Sequence, residues 1–91
     1  MRRIQRTNEE EKRRRVYVKV VVAFDIDGGI CPMRVDWEDG RSFEVDRLID
    51  VRRAAATKAG GQGMRYTVRI MGHETYLFED EGRWFVEGRV Q

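Results

Sequence analysis

Residues 33–51, MRVDWEDGRSFEVDRLIDV, read as a β-hairpin whose second strand runs on past the turn. The tip is Trp37-Glu38-Asp39-Gly40-Arg41, and side-chain pairing chooses between two turns. A two-residue Asp39-Gly40 loop would set Val35 opposite Glu44 and Trp37 opposite Ser42, apolar against polar. A three-residue loop over Glu38, Asp39 and Gly40, a type I turn with Gly40 left-handed in a G1 bulge, sets Val35 opposite Phe43 and Met33 opposite Val45. It also lays the Arg41 guanidinium beside the Trp37 indole. Like faces pair only in the bulged register, so that register is expected.

Working back toward the start, Val16 to Phe24 (VYVKVVVAF) alternates as a strand. Val16, Val18, Val20, Val22 and Phe24 share a wholly apolar face, expected in the core, and Val21 and Ala23 suggest cover on the other face. Between the two strands lies Asp25-Ile26-Asp27-Gly28-Gly29. An apolar strand ending in Asp-x-Asp-Gly resembles the first motif of the haloacid-dehalogenase phosphatases. That resemblance would make Asp25 a phosphoryl nucleophile and Asp27 an acid/base. It covers about ten residues, carries Gly29 where that family has Thr or Val, and calls for a doubly wound parallel sheet that the antiparallel hairpins downstream do not suggest. A calcium loop lacks its third ligand. A turn in which Gly28 or Gly29 takes positive φ accounts for the residues. Pro32 suits an edge or the start of a strand, and Cys31 reads as a small hydrophobe.

Downstream, residues 46–59 (DRLIDVRRAAATKA) carry two patterns. As a helix, Asp46 caps the start and Gly60 ends it. As a strand, Phe43, Val45, Ile49 and Val51 continue one face, interrupted by Arg47. The reading adopted is a strand to about Val51 or Arg53, with a possible short helix around 52–59. Gly60-Gly61-Gln62-Gly63 is a permissive connection without P-loop context. Residues 64–71 (MRYTVRIM) place Tyr66, Val68 and Ile70 on one face and Arg65, Thr67 and Arg69 on the other. The return strand, Glu74 to Glu79, follows either a two-residue Gly72-His73 loop, aligning Val68 with Leu77, or a three-residue loop, setting Tyr76 and Phe78 opposite Ile70 and Val68. The residues leave that register open. The last hairpin repeats acidic-acidic-glycine at Asp80-Glu81-Gly82. A bulged turn there would set Phe78 against Trp84, Leu77 against Phe85 and Tyr76 against Val86, with both faces apolar.

The fold class expected is mainly β: a small, strongly bent antiparallel meander or partly open barrel of five to six strands over residues 16–91, behind a flexible charged arm over 1–15. The arm holds seven Lys/Arg and three Glu, net +4, with a capping-box spacing from Thr7 to Glu10 that allows a short helix over 8–15. The rest holds eleven basic and thirteen acidic residues, net −2, so the basic character belongs to the arm. The arm lacks an apolar signal-peptide core, and no run reaches the roughly 18 apolar residues of a membrane span, so a cytoplasmic protein is expected. One cysteine and one histidine, Cys31 and His73, cannot by themselves assemble a metal site, and no cofactor is expected.

Several stretches taken together (W-E-D-G-R, D-V-R-R-A-A, K-A-G-G-Q-G-M-R-Y-T-V-R-I, E-T-Y-L-F and W-F-V-E) resemble a family of short uncharacterised bacterial domains. The resemblance spans residues 18–87 and implies a compact, mainly β domain with no transferable catalytic residue. Three function classes follow. The first is a binding or assembly module, homo-oligomeric through an apolar hairpin bearing Tyr76, Phe78, Trp84 and Phe85. The second is a nucleic-acid-binding barrel using Arg52, Arg53, Lys58, Arg65 and Arg69, with Tyr17 or Tyr76 for stacking. Pairing of those arginines with Glu74, Glu79, Asp50 and Asp36 is the competing explanation. An enzyme at Asp25 and Asp27 ranks last, because no nucleophile-and-base constellation accompanies them.

Overall fold

The bulged turn is present. Trp37 N–H donates to the Arg41 carbonyl at 2.8 Å, Gly40 N–H to the Trp37 carbonyl at 3.0 Å, and Gly40 has φ +95°. Val35 pairs with Phe43 as the side-chain pattern required, and Val45 N–H reaches the Met33 carbonyl at 2.9 Å. Residues 25–29 repeat this geometry. Asp25 N–H donates to the Gly29 carbonyl and Gly28 N–H to the Asp25 carbonyl, both at 2.9 Å, with Gly28 at φ +88°.

The computed structural model describes residues 13–55 and 62–89. It contains β1 (Arg13–Phe24), β2 (Ile30–Asp36), β3 (Ser42–Glu44), β4 (Arg47–Ala55), β5 (Gln62–Ile70), β6 (His73–Asp80) and β7 (Arg83–Arg89). All seven form one antiparallel sheet in the order β3-β2-β1-β7-β6-β5-β4. The fold is mainly β and strongly bent, with seven described strands rather than five or six. The extra strand arises because the run after the first hairpin divides. Only Val45 and Asp46 separate β3 from β4, yet these strands lie at opposite edges of the sheet. The three residue steps from Glu44 to Arg47 span at most about 11 Å, so the edges must curl together at that point.

Several sequence expectations are corrected. β1 starts at Arg13, so Arg13–Arg15 are strand and neither arm nor helix, while positions 1–12 lie outside the described residues. Arg52–Ala55 are strand, not the start of a helix, and 56–59 fall outside the described residues. Ile49 is the extra residue of a bulge in β4. Leu48 pairs with Val68 and Val51 with Tyr66, so Leu48, not Ile49, shares the inward face with Val51. Phe24, expected in the core, is 68% exposed. Its strand pairs with β7 only over Arg13–Val18, so Phe24 sits on the outlying part of the β1–β2 hairpin, where nothing covers it among the described residues.

The core lies on the inner face. Val35, Tyr66, Val68, Leu77 and Val86 are buried together, and Val16, Val18, Val20, Leu48, Ile70 and Trp84 pack against them. Burying each large apolar side chain contributes about 1.5–3 kcal/mol, and alternation along each strand delivers one such residue in two.

Candidate functional site

Turn geometry decides what the outer face displays. The β5–β6 loop is Met71-Gly72, with φ +51° and +80°, and Ile70 pairs with His73. This is neither of the two loops considered from sequence, and His73 is the first residue of β6 rather than a turn residue. The β6–β7 loop is Glu81-Gly82, with φ +54° and +84°, so it is a two-residue turn and not the bulged one expected. Two consecutive left-handed residues make a type I′ turn, whose twist matches that of the flanking strands and favours it for a tight hairpin. Its register sets Phe78 opposite Phe85 and Glu79 opposite Trp84. Trp84 therefore points inward, with its ring 4.9 Å from that of Tyr66, and is separated from Phe78 and Phe85.

Cross-strand pairing then lays out one row over five strands: Tyr17, Phe85, Phe78, Arg65 and Arg52, from β1 through β7, β6 and β5 to β4. Phe78 and Phe85 stack with centroids 5.2 Å apart and an interplanar angle of 12°. Tyr17 meets Phe85 edge-on at 5.8 Å, and Tyr76 meets Phe78 at 6.5 Å. Although they lie on the outer face, Phe78 and Phe85 are only 2% and 0% exposed. The Arg15 guanidinium lies 4.3 Å over the Phe85 ring, and that of Arg65 lies 4.4 Å over Tyr76. Arg15 also donates to the Tyr17 hydroxyl at 3.2 Å and faces Asp80 at 3.4 Å; these contacts, the hydroxyl first, raise its pKa above the usual arginine value. Of the four residues expected at an oligomer contact, Tyr76 alone is an exposed one, at 48%.

Beside this aromatic row, β4 and β5 carry an unusual charge arrangement. Arg52 pairs with Arg65 and Arg47 with Arg69, with Asp50 opposite Thr67 between them. Like charges placed directly opposite each other in a sheet are destabilising. Asp50 relieves part of the repulsion through an ion pair to Arg52 at 2.8 Å, as the pairing explanation anticipated for that one arginine. No ion pair is found for Arg47, Arg65 or Arg69 among the described residues. Thus three of the five cations expected on a nucleic-acid surface, Arg52, Arg65 and Arg69, share one face. Arg53 pairs with Met64 and belongs to the opposite face, and Lys58 lies outside the described residues. Arg47, Arg15 and Arg83 were missed. The sequence signal for Arg47 was its interruption of the apolar pattern, an oddity on the strand face it was assigned to.

Charge is segregated by the fold. The outer face bears Arg15, Lys19, Arg47, Arg52, Arg65, Arg69 and Arg83 against Asp50, Glu74, Asp80 and Glu87. Acids gather instead on the first two hairpins, at Asp25, Asp27, Asp36, Glu38, Asp39 and Glu44. The Ser42 hydroxyl, 2.7 Å away, and then Arg34 hold the Asp36 carboxyl below the usual carboxylate range. The Arg41 backbone amide does the same for Asp39. A chain whose residues 16–91 sum to −2 therefore presents, together with Arg15, a positive face.

Asp25 serves its turn. Its Oδ1 accepts the Asp27 and Gly29 amides at 2.9 and 2.6 Å, the loop arrangement of an Asx turn. Among the described residues no group of three or more His, Cys, Asp or Glu is placed to hold a metal ion, and no helix is long and apolar enough to cross a membrane. An apolar pocket of about 230 Å³ opens on the inner side among Val35, Trp37, Phe43, Ile70 and Leu77. Comparison with known proteins yields no matching family model, curated protein or solved structure.

Proposed function

We propose that this chain is a non-catalytic binding module whose outer face takes nucleic acid. The observation that carries the reading is the register that sets Arg52 opposite Arg65 and Arg47 opposite Arg69. A sheet that sets arginine opposite arginine twice on one face gives up stability there, and a bound polyanion removes the repulsion. The neighbouring tyrosines add the mixture of cations and aromatic rings that small β-barrels use for such ligands. The test is fluorescence anisotropy of labelled oligonucleotides with the full chain and with Arg47→Gln/Arg69→Gln, at low and near-physiological salt. Affinity that falls with salt, and a shallower salt dependence in the double variant, support the reading. Unchanged affinity and slope in the variant would assign any binding to the basic arm.

Self-association is a second reading, favoured by one observation away from the residues first considered for it. On the β1–β2 hairpin Phe24 is 68% exposed, Ile26 100% and Met33 46%. A second copy of the same hairpin would cover such a patch. Sedimentation equilibrium of the wild type and of Phe24→Ser/Ile26→Asp tests it: a dimer lost in the variant supports it, and a wild-type monomer at high concentration refutes it.

A further inference from the structure

We infer that the outer face engages single strands by stacking bases on two guanidinium-capped tyrosines, one at each end of the Phe78–Phe85 pair; the inference rests on the nucleic-acid reading above. Arg83 lies 3.9 Å over the Tyr17 ring and Arg65 lies 4.4 Å over Tyr76. The two tyrosines are 37% and 48% exposed, whereas the phenylalanines between them are fully covered. The aromatic cluster of Tyr17, Phe85, Phe78 and Tyr76 therefore has a closed middle and two open ends. The Nε of Arg65 is buried without an acceptor among the described residues, so the ring beneath, not an ion pair, sets the position of that guanidinium.

A guanidinium plane on an aromatic ring is itself a stacking platform. Its outer side accepts a base face, while its charge attracts the phosphate of the same nucleotide. A duplex hides base faces in its own stack and offers only phosphates to such a platform. A single strand offers both, and each stacked base adds to what the Arg47, Arg52 and Arg69 cations supply through the backbone. Little base-edge readout is expected, because a guanidinium stacked between ring and base carries its N–H donors in its own plane, beside the stacked base and not across its edge. The ligand class is single-stranded nucleic acid with little sequence preference.

The experiment separates the stacking from the underlying reading. The full chain is titrated into two labelled single strands of about 12 nucleotides, within the usual span of such sites, one an oligothymidylate and one abasic throughout. They carry equal charge, so the arm and the phosphate-contacting Arg47, Arg52 and Arg69 treat them alike. The expected result is binding of the base-bearing strand about tenfold or more tighter than the abasic strand. Tyr17→Leu/Tyr76→Leu should abolish that difference, by weakening the base-bearing strand more than the abasic one. Arg83→Gln, which retains both tyrosines, should shrink the difference by itself. Equal affinity for the two strands would overturn the stacking and leave the nucleic-acid reading standing on phosphate contacts. A difference that survives in both variants would overturn the placement on these residues, and no binding of either strand would overturn the reading itself.

Discussion

The backbone amides of Val45 and Asp46 donate to strands at opposite ends of the sheet, β2 and β5, each the inner neighbour of an edge strand. Val45 N–H reaches the Met33 carbonyl on β2 at 2.9 Å, and Asp46 N–H reaches the Arg69 carbonyl on β5 at 2.8 Å. Two consecutive peptide units thus end the β3–β2 ladder and begin the β4–β5 ladder, carrying the chain from one end of the strand order to the other. The same junction begins β4 at Arg47, directly opposite Arg69, so the closure of the sheet and the arginine face share one hinge of backbone.

Proline at position 46 removes the donor to Arg69 and leaves that carbonyl short of a partner. The expected cost of Asp46→Pro is about 1–3 kcal/mol or more, read from the urea midpoint, with Asp46→Ala as a control that retains the amide. Similar losses for the proline and alanine variants would show that the closure contributes nothing measurable.

The two tight turns place side chains where glycine or asparagine belongs. Met71 and Glu81 hold φ +51° and +54°, and Met71 is 70% exposed. A left-handed conformation costs an ordinary residue about 1–2 kcal/mol, and asparagine less. Met71→Asn and Glu81→Asn should therefore each stabilise the fold by about 0.5–1 kcal/mol, as the Asn-Gly sequence preferred in type I′ turns. A fall in thermal midpoint for both would contradict the turn assignment.

Removing one arginine from a like-charged pair should move stability and binding in opposite directions. Arg47→Gln relieves repulsion against Arg69, which keeps Glu74 opposite it on β6, and should raise the thermal midpoint at low ionic strength, by an amount equivalent to a few tenths of a kcal/mol. The gain should fade at high salt, where exposed charges are screened. The same substitution should weaken oligonucleotide binding. Destabilisation at low salt would show that the four arginines do not repel one another as the register implies.

Tyr66 gives the fold a signature at alkaline pH. Burial of the ring, then the nearby charge of Glu79, raises its phenol above the ordinary value of 10.0. Above that pH the unfolded chain releases the proton while the folded chain retains it. The unfolded state then binds fewer protons, and stability falls as pH rises until the folded value is passed. Urea midpoints at about pH 9 and about pH 11 should differ more in wild type than in Tyr66→Phe, which carries no ionisable group there. Equal differences in the two proteins would place the loss elsewhere.

Close backbone contact makes Gly63 sensitive. A Cβ there would stand 2.5 Å from the Glu79 carbonyl oxygen and 3.4 Å from Asp80 Cβ. Because the nearest atom is backbone, relief requires β5 and β6 to separate, and Gly63→Ala should cost about 1–3 kcal/mol. A neutral substitution, measured by urea unfolding, would show that the strands have room to shift.

Features set by nearest neighbours were legible in the chain itself. The Trp37–Arg41 turn follows from matching apolar faces across five residues, and Arg41 lies 5.8 Å over the Trp37 ring as expected. The two faces of β5 follow from strict alternation, which put Arg65 and Arg69 together and Tyr66 and Val68 in the core. Distinctions between alternative registers were not legible. Nothing local marks Met71 or Glu81 for positive φ. Those turns are selected by a pairing that sends Phe78 and Phe85 to one face and Leu77 and Trp84 to the other.

By its own pattern, then, the sequence determined an antiparallel β domain, the positions of its strands and the composition of most strand faces, because alternation is a property of each strand alone. Only the tertiary structure decided which strands are neighbours. It divided the 42–55 run at Val45–Asp46, carried β4 to the far edge, and set Arg47 opposite Arg69 and Arg52 opposite Arg65. It also covered the second apolar face of the last hairpin with Arg15, Tyr17 and Tyr76 from the same chain. Those juxtapositions depend on register and curvature, which many residues distant in sequence set together, and so a charge balance of −2 over residues 16–91 folds into a molecule with a positive face.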